Sequence, residues 1–205
     1  FNEDNTAWNG NRFLMGIGYF GIRGTLEEYT KKQMCAVNMA GIYDKMGNSW
    51  RESVNAPNPL YTYIKVNGKI YALPDEKPKF HQQELDFRYG IHSRVTHWQT
   101  EHGNITVVCE RFASIARQHN IAMKYTFSVD FDCEAEIITG IDGDVWDING
   151  PHFVKMKIGS KDGADYVTGI TGEKNISVTV KEYIRTDFQA EQTNQNTDKS
   201  IFRHI

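Results

Sequence analysis

The fold class is decided by the stretch Ile121-Ala122-Met123-Lys124-Tyr125-Thr126-Phe127-Ser128-Val129-Asp130-Phe131, in which large apolar side chains stand at every second position. Successive side chains of a β-strand point to opposite faces of the sheet, so this period of two predicts a strand with one buried face and one wetter face.

The segments around this stretch show the same signal and are joined by turn residues. Residues 61–66 and 69–73 flank Asn67-Gly68, a dipeptide that accepts the positive φ angles of a type I′ turn, and predict a hairpin. A second hairpin is predicted by 93–100 and 105–112, which flank the short polar turn Glu101-His102-Gly103-Asn104. Alternation also predicts half-buried strands at two further places, 154–158 and 176–180.

Helical signal is scarce along the chain. Thr25 and Glu28 have the spacing of a capping box, but little apolar stripe follows them, so we expect at most one short helix there. Many strands joined by Gly, Asn and Asp turns favour antiparallel sheets packed face to face. The sequence therefore predicts an all-β protein, a large antiparallel β-sandwich that forms a single domain over residues 1–205.

Composition excludes several classes of partner. The chain carries 23 Lys and Arg against 26 Asp and Glu, with a net charge of -3 and no run of like charges. No basic field is present for a phosphate backbone or an anionic membrane, and the longest apolar runs fall far short of a bilayer span. We expect no nucleic-acid partner and no membrane partner.

The cysteines and the first residues bear on location. Cys35, Cys109 and Cys133 are odd in number and lack metal-type spacing, which favours buried thiols in a reducing compartment. The opening residues 1–5 lack the basic and apolar regions of a secretion signal. We therefore expect a cytoplasmic protein with no targeting segment in this chain. The apolar-rich residues 201–205 look like the start of an element whose continuation is missing, so we expect an excised piece of a longer protein.

Several motifs carry a family resemblance. The glycine-rich stretch Met15-Gly16-Ile17-Gly18-Tyr19-Phe20-Gly21-Ile22-Arg23-Gly24-Thr25-Leu26-Glu27-Glu28 resembles the signature that opens glycoside hydrolase family 65, with Ile17 where that signature has Asn. Further landmarks of that family are matched in the same order by residues 40–44, 52–58, 85–90 with Arg94, 110–114 with His119, 142–145 and 149–152. The ordered combination, which covers most of residues 15–152, carries the resemblance.

The resemblance implies a function that resides mainly outside this chain. Proteins of the family have an amino-terminal β-sandwich of the galactose-mutarotase-like type followed by a catalytic (α/α)6 barrel, and they cleave α-glucosidic bonds of disaccharides with inversion by phosphate or water. It implies as partners the protein's own C-terminal catalytic domain and a disaccharide substrate, and it leaves a homodimer open. No cofactor is implied, and inorganic phosphate is a co-substrate if the full-length enzyme is a phosphorylase. Since the sequence holds no helices for a barrel, we assign no catalytic residue. A freestanding carbohydrate-binding or dimerisation module remains the alternative.

Two residues are candidates for substrate binding or domain contact. Trp50 lies in a Gly-Asn-Ser loop and could stack on a sugar, as could Trp8, Trp98 or Trp146. Asn55 lies in the loop 54–59, whose two prolines restrict the backbone. We expect either this loop or residues 16–24, whose Arg23 we expect to be tied by hydrogen bonds, to face the catalytic barrel.

Other polar clusters have simpler interpretations. Glu27 and Glu28 are adjacent, so an extended backbone would point them to opposite faces, and we expect a solvated or capping role. The acidic residues at 142, 144 and 147 are spaced like calcium ligands but lack the Gly of a calcium loop, which favours a polar turn. The second hairpin could bring His92 near His102, yet nothing fixes a zinc geometry. We predict no metal site.

Overall fold

A computed structural model describes residues 5–205 of the protein. The opening residues 1–4, on which the expectation of no targeting segment rests in part, lie outside this range. Within residues 5–205 the structure is nearly all β, with sixteen strands, one α-helix α1 (Thr6–Arg12) and one 3₁₀ helix (Lys31–Gln33). Neither helix in this range is long and apolar enough to cross a membrane.

The strands form four sheets, and every strand pairing in the described range is antiparallel. Sheet A has the order β1 (Met15–Gly16), β2 (Phe20–Ile22), β3 (Val37–Asp44) and β4 (Glu52–Asn55). Sheet B has the order β15 (Thr193–Asn196), β16 (Ile201–His204), β11 (Ala135–Asp142), β5 (Asn58–Val66) and β6 (Lys69–Tyr71). Sheet C has the order β10 (Ile121–Val129), β9 (Asn104–Ala113), β8 (Ile91–Gln99) and β7 (Phe80–Asp86). Sheet D has the order β12 (Phe153–Lys161), β13 (Ala164–Thr171) and β14 (Ser177–Glu182).

The predicted hairpins and the strand that decided the fold class are confirmed. In the first hairpin Val66 pairs with Lys69, and Asn67 and Gly68 have φ angles of 50° and 77°, as a type I′ turn requires. In the second hairpin Gln99 of β8 pairs with Asn104 of β9. Strand β10 alternates half-buried and exposed side chains along its whole length and pairs with β9.

The apolar side chains form cores between the sheets. The first core joins Ile64 and Val66 of sheet B to Trp98, Ile105 and Val107 of sheet C. A second core contains buried residues of sheet A together with Ala56, Leu60 of β5 and Val178 of sheet D. Its members from sheet A are Met15, Phe20, Ile22 and Val37. A third core joins Ile141 and Ile201 of sheet B to Val167 of sheet D. Sheets C and D therefore both pack against sheet B through apolar side chains.

The capping-box spacing at Thr25 marks no helix: residues 25–30 form turns and irregular backbone, which is within the expectation of at most one short helix. The capping box lies instead at Thr30, whose side chain accepts from the Lys32 backbone while Gln33 reaches back to the Thr30 N–H. The prediction chose the wrong threonine because both are followed three residues later by a Glu or Gln.

The segment 54–59, predicted as a loop, is mostly strand. Strand β4 ends at Asn55 and β5 begins at Asn58, so that only Ala56 and Pro57 connect two sheets. At the other end of the chain, residues 201–204 form β16, which is paired on both sides by β11 and β15.

Candidate functional site

A fully buried charge network anchors the glycine-rich segment to sheet C. Arg94 of β8 donates from Nε to Glu27 Oε2 at 2.8 Å and from Nη2 to Glu28 Oε2 at 2.6 Å. Arg111 of β9 donates to Glu27 Oε1 at 2.8 Å and to the Thr25 carbonyl at 2.6 Å. All four charged side chains are at most 1% exposed. Two carboxylates therefore face two guanidinium groups inside the protein, and residues 25–28 are held by charge-assisted hydrogen bonds.

The two carboxyl groups of this network differ in pKa. Burial alone would raise the pKa of Glu27, but Arg94 and Arg111 outweigh it and lower that pKa to about 2. Burial raises the pKa of Glu28, which faces only Arg94 and lies beside the negative charge of Glu27. The pKa of Arg94 is raised, since its two carboxylate partners outweigh its desolvation.

The predicted solvated or capping role of Glu27 and Glu28 is therefore wrong. That prediction assumed an extended backbone, but both residues occupy a turn, and both side chains reach the same guanidinium group of Arg94. The prediction for Arg23 is confirmed, because its side chain donates to the carbonyls of Ala7 and Met34 and to Asn11.

A second buried network surrounds His152. Its Nδ1 lies 3.1 Å from Asp44 Oδ2, and its Nε2 lies 2.7 Å from Glu52 Oε1. The same Glu52 carboxylate accepts from the backbone of Ile148 and from the backbone and side chain of Asn149. The network thus joins the end of β3, the start of β4 and the loop between β11 and β12.

Protonation of His152 is favoured by its surroundings. Burial opposes the charge, but the hydrogen bonds to Glu52 and Asp44 outweigh burial and raise the pKa of His152. Hydrogen bonds from the Asn149 backbone and from His152 lower the pKa of Glu52 despite desolvation. Since both ring nitrogens of His152 are engaged by carboxylates, the imidazole has no free nitrogen to act as a base or metal ligand. Its chemical role is to hold three chain segments in one arrangement.

Exposed apolar side chains stand on the segments that this network joins. They are Tyr43, Met46 and Trp50 in the β3–β4 hairpin, Ile148 in the β11–β12 loop and Val154 at the start of β12, and we call this set the platform. Trp50 and Ile148 are each 64% exposed. The backbone N–H of Ile148 binds Glu52, two residues from Trp50, so the hairpin and the loop are adjacent. Exposed large apolar side chains gathered on neighbouring segments are typical of interaction surfaces.

Of the two candidate residues named from the sequence, Trp50 belongs to the platform and Asn55 does not. Trp50 is exposed, and the neighbouring Arg51 forms an ion pair with Glu173. Asn55 is buried, accepts from Asn38 Nδ2 at 3.0 Å and donates to the Trp146 carbonyl at 2.5 Å. Asn55 therefore fixes the loop that carries Ile148, while Trp50 is accessible to a partner.

The other polar residues singled out from the sequence are paired with side chains of this chain. Asp142 accepts from Ser200, and Asp144 pairs with Lys31 at 2.6 Å and Lys199 at 2.9 Å. No group of three or more His, Cys, Asp or Glu side chains in residues 5–205 could hold a metal ion. Trp98 is only 2% exposed, so its interpretation as a sugar platform is wrong.

The hypothesis that the second hairpin brings His92 near His102 is also wrong. His92 lies near the start of β8, and His102 follows the far end of that strand. The seven residue steps from His92 to Gln99 alone span roughly 23 Å in a strand, too far for a shared ion.

The His152 network could not be found from spacing. Its partners Asp44 and Glu52 lie 108 and 100 positions away in the chain. One signal was present: three of the motif segments that carried the resemblance, 40–44, 52–58 and 149–152, each supply a member of this network.

Comparisons with known proteins show which family the chain belongs to. The family model described as glycosyl hydrolase family 65, N-terminal domain, matches residues 1–205. The chain is 44% identical to nigerose phosphorylase of Lachnoclostridium phytofermentans, over 96% of this chain and 26% of that protein. It is 36% identical to 1,2-alpha-glucosylglycerol phosphorylase of Bacillus selenitireducens, over 93% of this chain and 25% of that protein.

A solved structure has the same fold. It is named as a candidate kojibiose phosphorylase from the human microbiome, and its match has a TM-score of 0.86 at 19% identity, covering 100% of this chain and 28% of that one. The chain thus spans about a quarter of the length of these relatives. Because the family model covers every residue, the chain belongs to the glycosyl hydrolase family 65 N-terminal domain family.

Proposed function

We propose that the chain is a non-catalytic domain of an α-glucoside phosphorylase and that it supports the catalytic portion of that larger protein. One observation carries the proposal: the chain matches an N-terminal domain family over residues 1–205 but spans only about a quarter of the phosphorylases it resembles. The reaction is inverting cleavage of a glucose disaccharide with inorganic phosphate as co-substrate, performed outside this chain.

The same proposal includes the finer architecture. Packing of sheets C and D against sheet B supports a single large β-sandwich over residues 1–205, followed in the full protein by an (α/α)6 barrel. Cys35, Cys109 and Cys133 are free thiols, which supports a cytoplasmic location. A homodimer of the full protein belongs to the proposal as well.

The platform is the surface that contacts the catalytic portion. Its apolar side chains would be covered by that portion, and the His152 network beneath them fixes their relative positions before docking. A preorganised surface loses little conformational entropy on association, which favours a stable contact between domains. Trp50 contributes through contact, and Asn55 contributes by positioning the loop 143–152.

The platform proposal is tested in the full-length protein with the double variant Trp50→Ser and Ile148→Ser. We expect hydrogen exchange of the β3–β4 hairpin to increase and kcat to fall, because the contact between the domains is weakened. The control is Phe87→Ser, since Phe87 is 88% exposed but lies in the β7–β8 turn and is not a member of the platform. Unchanged exchange and unchanged kcat in the double variant would exclude the platform as the contact.

The non-catalytic role is tested by assaying the 205-residue chain for phosphorolysis and hydrolysis of nigerose, kojibiose and trehalose. We expect no turnover by the chain and turnover of one α-glucoside by the full-length protein. Turnover by the purified chain would refute the proposal.

A further inference from the structure

A row of polar side chains on the inner face of sheet D meets a second polar row on sheet B. In the first row, Asp165 of β13 stands directly opposite Ser160 of β12 on one side and Glu182 of β14 on the other. The row on sheet B comes from four strands paired in register and consists of Asn194, Arg203, Thr139 and Thr62. Because Asp165 lies two positions from Val167, the polar rows adjoin the third core.

Hydrogen bonds connect the two rows across the sheets. Arg203 Nη2 donates to Asp165 Oδ2 at 2.5 Å, and Thr139 Oγ1 donates to Glu182 Oε1 at 3.1 Å. Since a hydroxyl group has a single proton, Thr62 is the donor in its 2.8 Å contact with Thr139. Among the described residues, Asp165 is therefore paired with a cation, whereas Glu182 receives one neutral donor.

The surroundings of Glu182 oppose a negative charge. Its Oε2 atom is buried and makes no hydrogen bond to any residue between 5 and 205. Residues directly opposite on antiparallel strands have Cβ atoms about 5 Å apart, so the Asp165 carboxylate is close. Burial and this carboxylate raise the pKa of Glu182 to about 7, although Thr139 and Arg203 act in the opposite direction.

The protonated and ionised forms of Glu182 differ in how well they fit between the sheets. With a proton on Oε2 the carboxyl group is neutral and still accepts from Thr139 through Oε1. Ionisation places a second negative charge beside Asp165, and both carboxylates then depend on the single guanidinium group of Arg203. A buried charge without its own partner opposes the packing that buries it.

We propose that Glu182 is a pH-sensitive switch at the contact between sheets B and D: sheet D packs firmly on sheet B while Glu182 holds its proton, and loss of that proton loosens sheet D. Strand β12 of sheet D begins one residue after His152 and carries Val154 of the platform. Deprotonation would therefore make the platform less rigid, a consequence that rests on the proposed function.

The size of the effect follows from the proton affinity of Glu182 in the closed and open states. Its pKa is about 7 when sheet D is packed and 4.5 when the side chain is in water. The cost of burying Glu182 is absent below pH 4.5, grows as the pH rises toward 7 and is constant above that value. Between pH 6 and pH 8 the equilibrium constant for opening of sheet D should therefore rise about tenfold.

Hydrogen exchange of the full-length protein at pH 6 and pH 8, expressed as protection factors corrected for the intrinsic exchange rate, tests the switch. We expect the protection of β13 and β14 to fall about tenfold more in the wild type than in Glu182→Gln, whose side chain is neutral at both pH values. Strands β8 and β9 of sheet C are the internal reference and should respond to pH equally in both proteins. The matched control is Glu84→Gln, which alters an exposed side chain of β7 and should behave like the wild type.

Infrared spectroscopy detects the proton itself. At pH 6 the wild type should show the C=O stretch of a buried protonated carboxyl group, which pH 8 removes and Glu182→Gln lacks. Thr139→Val, which takes away the neutral donor to the ionised form, should move the midpoint of this transition to higher pH.

Equal loss of protection in the wild type and Glu182→Gln, absence of the infrared band, or a midpoint that Thr139→Val leaves unmoved would overturn the switch. The infrared comparison with Thr139→Val keeps the switch refutable even if Glu182→Gln does not fold. Since none of these readouts measures turnover or contact between domains, a negative result would leave the proposed phosphorylase role standing.

Discussion

Replacing Arg94 by methionine should destabilise the protein strongly, and by an amount that depends on pH. Arg94 is the sole cationic partner of Glu28 in the described range, and without it the Glu28 carboxylate keeps only backbone N–H donors, among them Leu73 at 3.4 Å. Removing one member of a buried ion pair costs about 3 to 5 kcal/mol because the other charge is left uncompensated.

The loss of stability depends on pH because the Glu28 carboxyl group, once Arg94 is removed, can be protonated instead of staying charged and buried. Glu28 can take up a proton, and the free energy of doing so relative to an ordinary pKa of 4.5 is about 3.4 kcal/mol at pH 7 and about 0.7 kcal/mol at pH 5. Burial already raises the pKa of Glu28 in the wild type, and losing Arg94 raises it further above the unfolded value. Its penalty is therefore absent below pH 4.5 and grows as the pH rises toward the folded pKa.

Urea unfolding of the wild type and the Arg94→Met variant at the two pH values measures this difference. We expect a loss of about 3 to 5 kcal/mol at pH 7 that shrinks by about 2 to 3 kcal/mol at pH 5. Arg88→Met is the control, because Arg88 is exposed and should change stability by less than about 0.5 kcal/mol. A loss below about 1 kcal/mol at pH 7, or a loss that does not depend on pH, would refute the reasoning.

Three further predictions concern other parts of the fold. Hydrogen bonds to Glu52 and Asp44 raise the pKa of His152 above 6.5, so the stabilisation from its charge is complete below pH 6.5 and is lost as the pH rises through the folded pKa. The melting temperature of the wild type should therefore exceed that of His152→Gln by less at alkaline pH than at pH 6. Glu27 has a pKa lowered from 4.5 to about 2, so circular dichroism should show stability falling as the pH drops through that interval; a flat acid profile would contradict the network. Gly24→Ala should cost about 1 to 3 kcal/mol in thermal unfolding because its Cβ would overlap Phe13, whereas Gly16→Ala, with no atom closer than 3.6 Å, should be nearly neutral.

Features set by local sequence could be predicted, and those set by distant partners could not. The Asn67-Gly68 turn follows from two adjacent residues whose φ preferences select one hairpin geometry. Strand β15 was missed because its four side chains are all exposed, so no apolar alternation marks an edge strand held by backbone hydrogen bonds to β16.

The candidate site shows the same division. Trp50 and Asn55 were predicted from residue type and loop composition. The contacts that connect their segments, from Asn55 to Trp146 and from His152 to Asp44 and Glu52, span about half the chain. The burial of Glu27 and Glu28 was missed because pairing with Arg94 and Arg111 depends on the register of β8 and β9 against the glycine-rich segment. Charged side chains are rarely buried unless they are paired, and the spacing of residues in the sequence does not show which partners they meet.

The central claim is that this chain supports catalysis that takes place elsewhere in a longer protein. The most direct measurement is complementation: the remainder of that protein, expressed without residues 1–205, is mixed with the chain, and phosphorolysis of its α-glucoside is followed. We expect little activity from either part alone, recovery on mixing, and poor recovery with the Trp50→Ser and Ile148→Ser chain. Full activity of the remainder without the chain would show that catalysis does not need this domain.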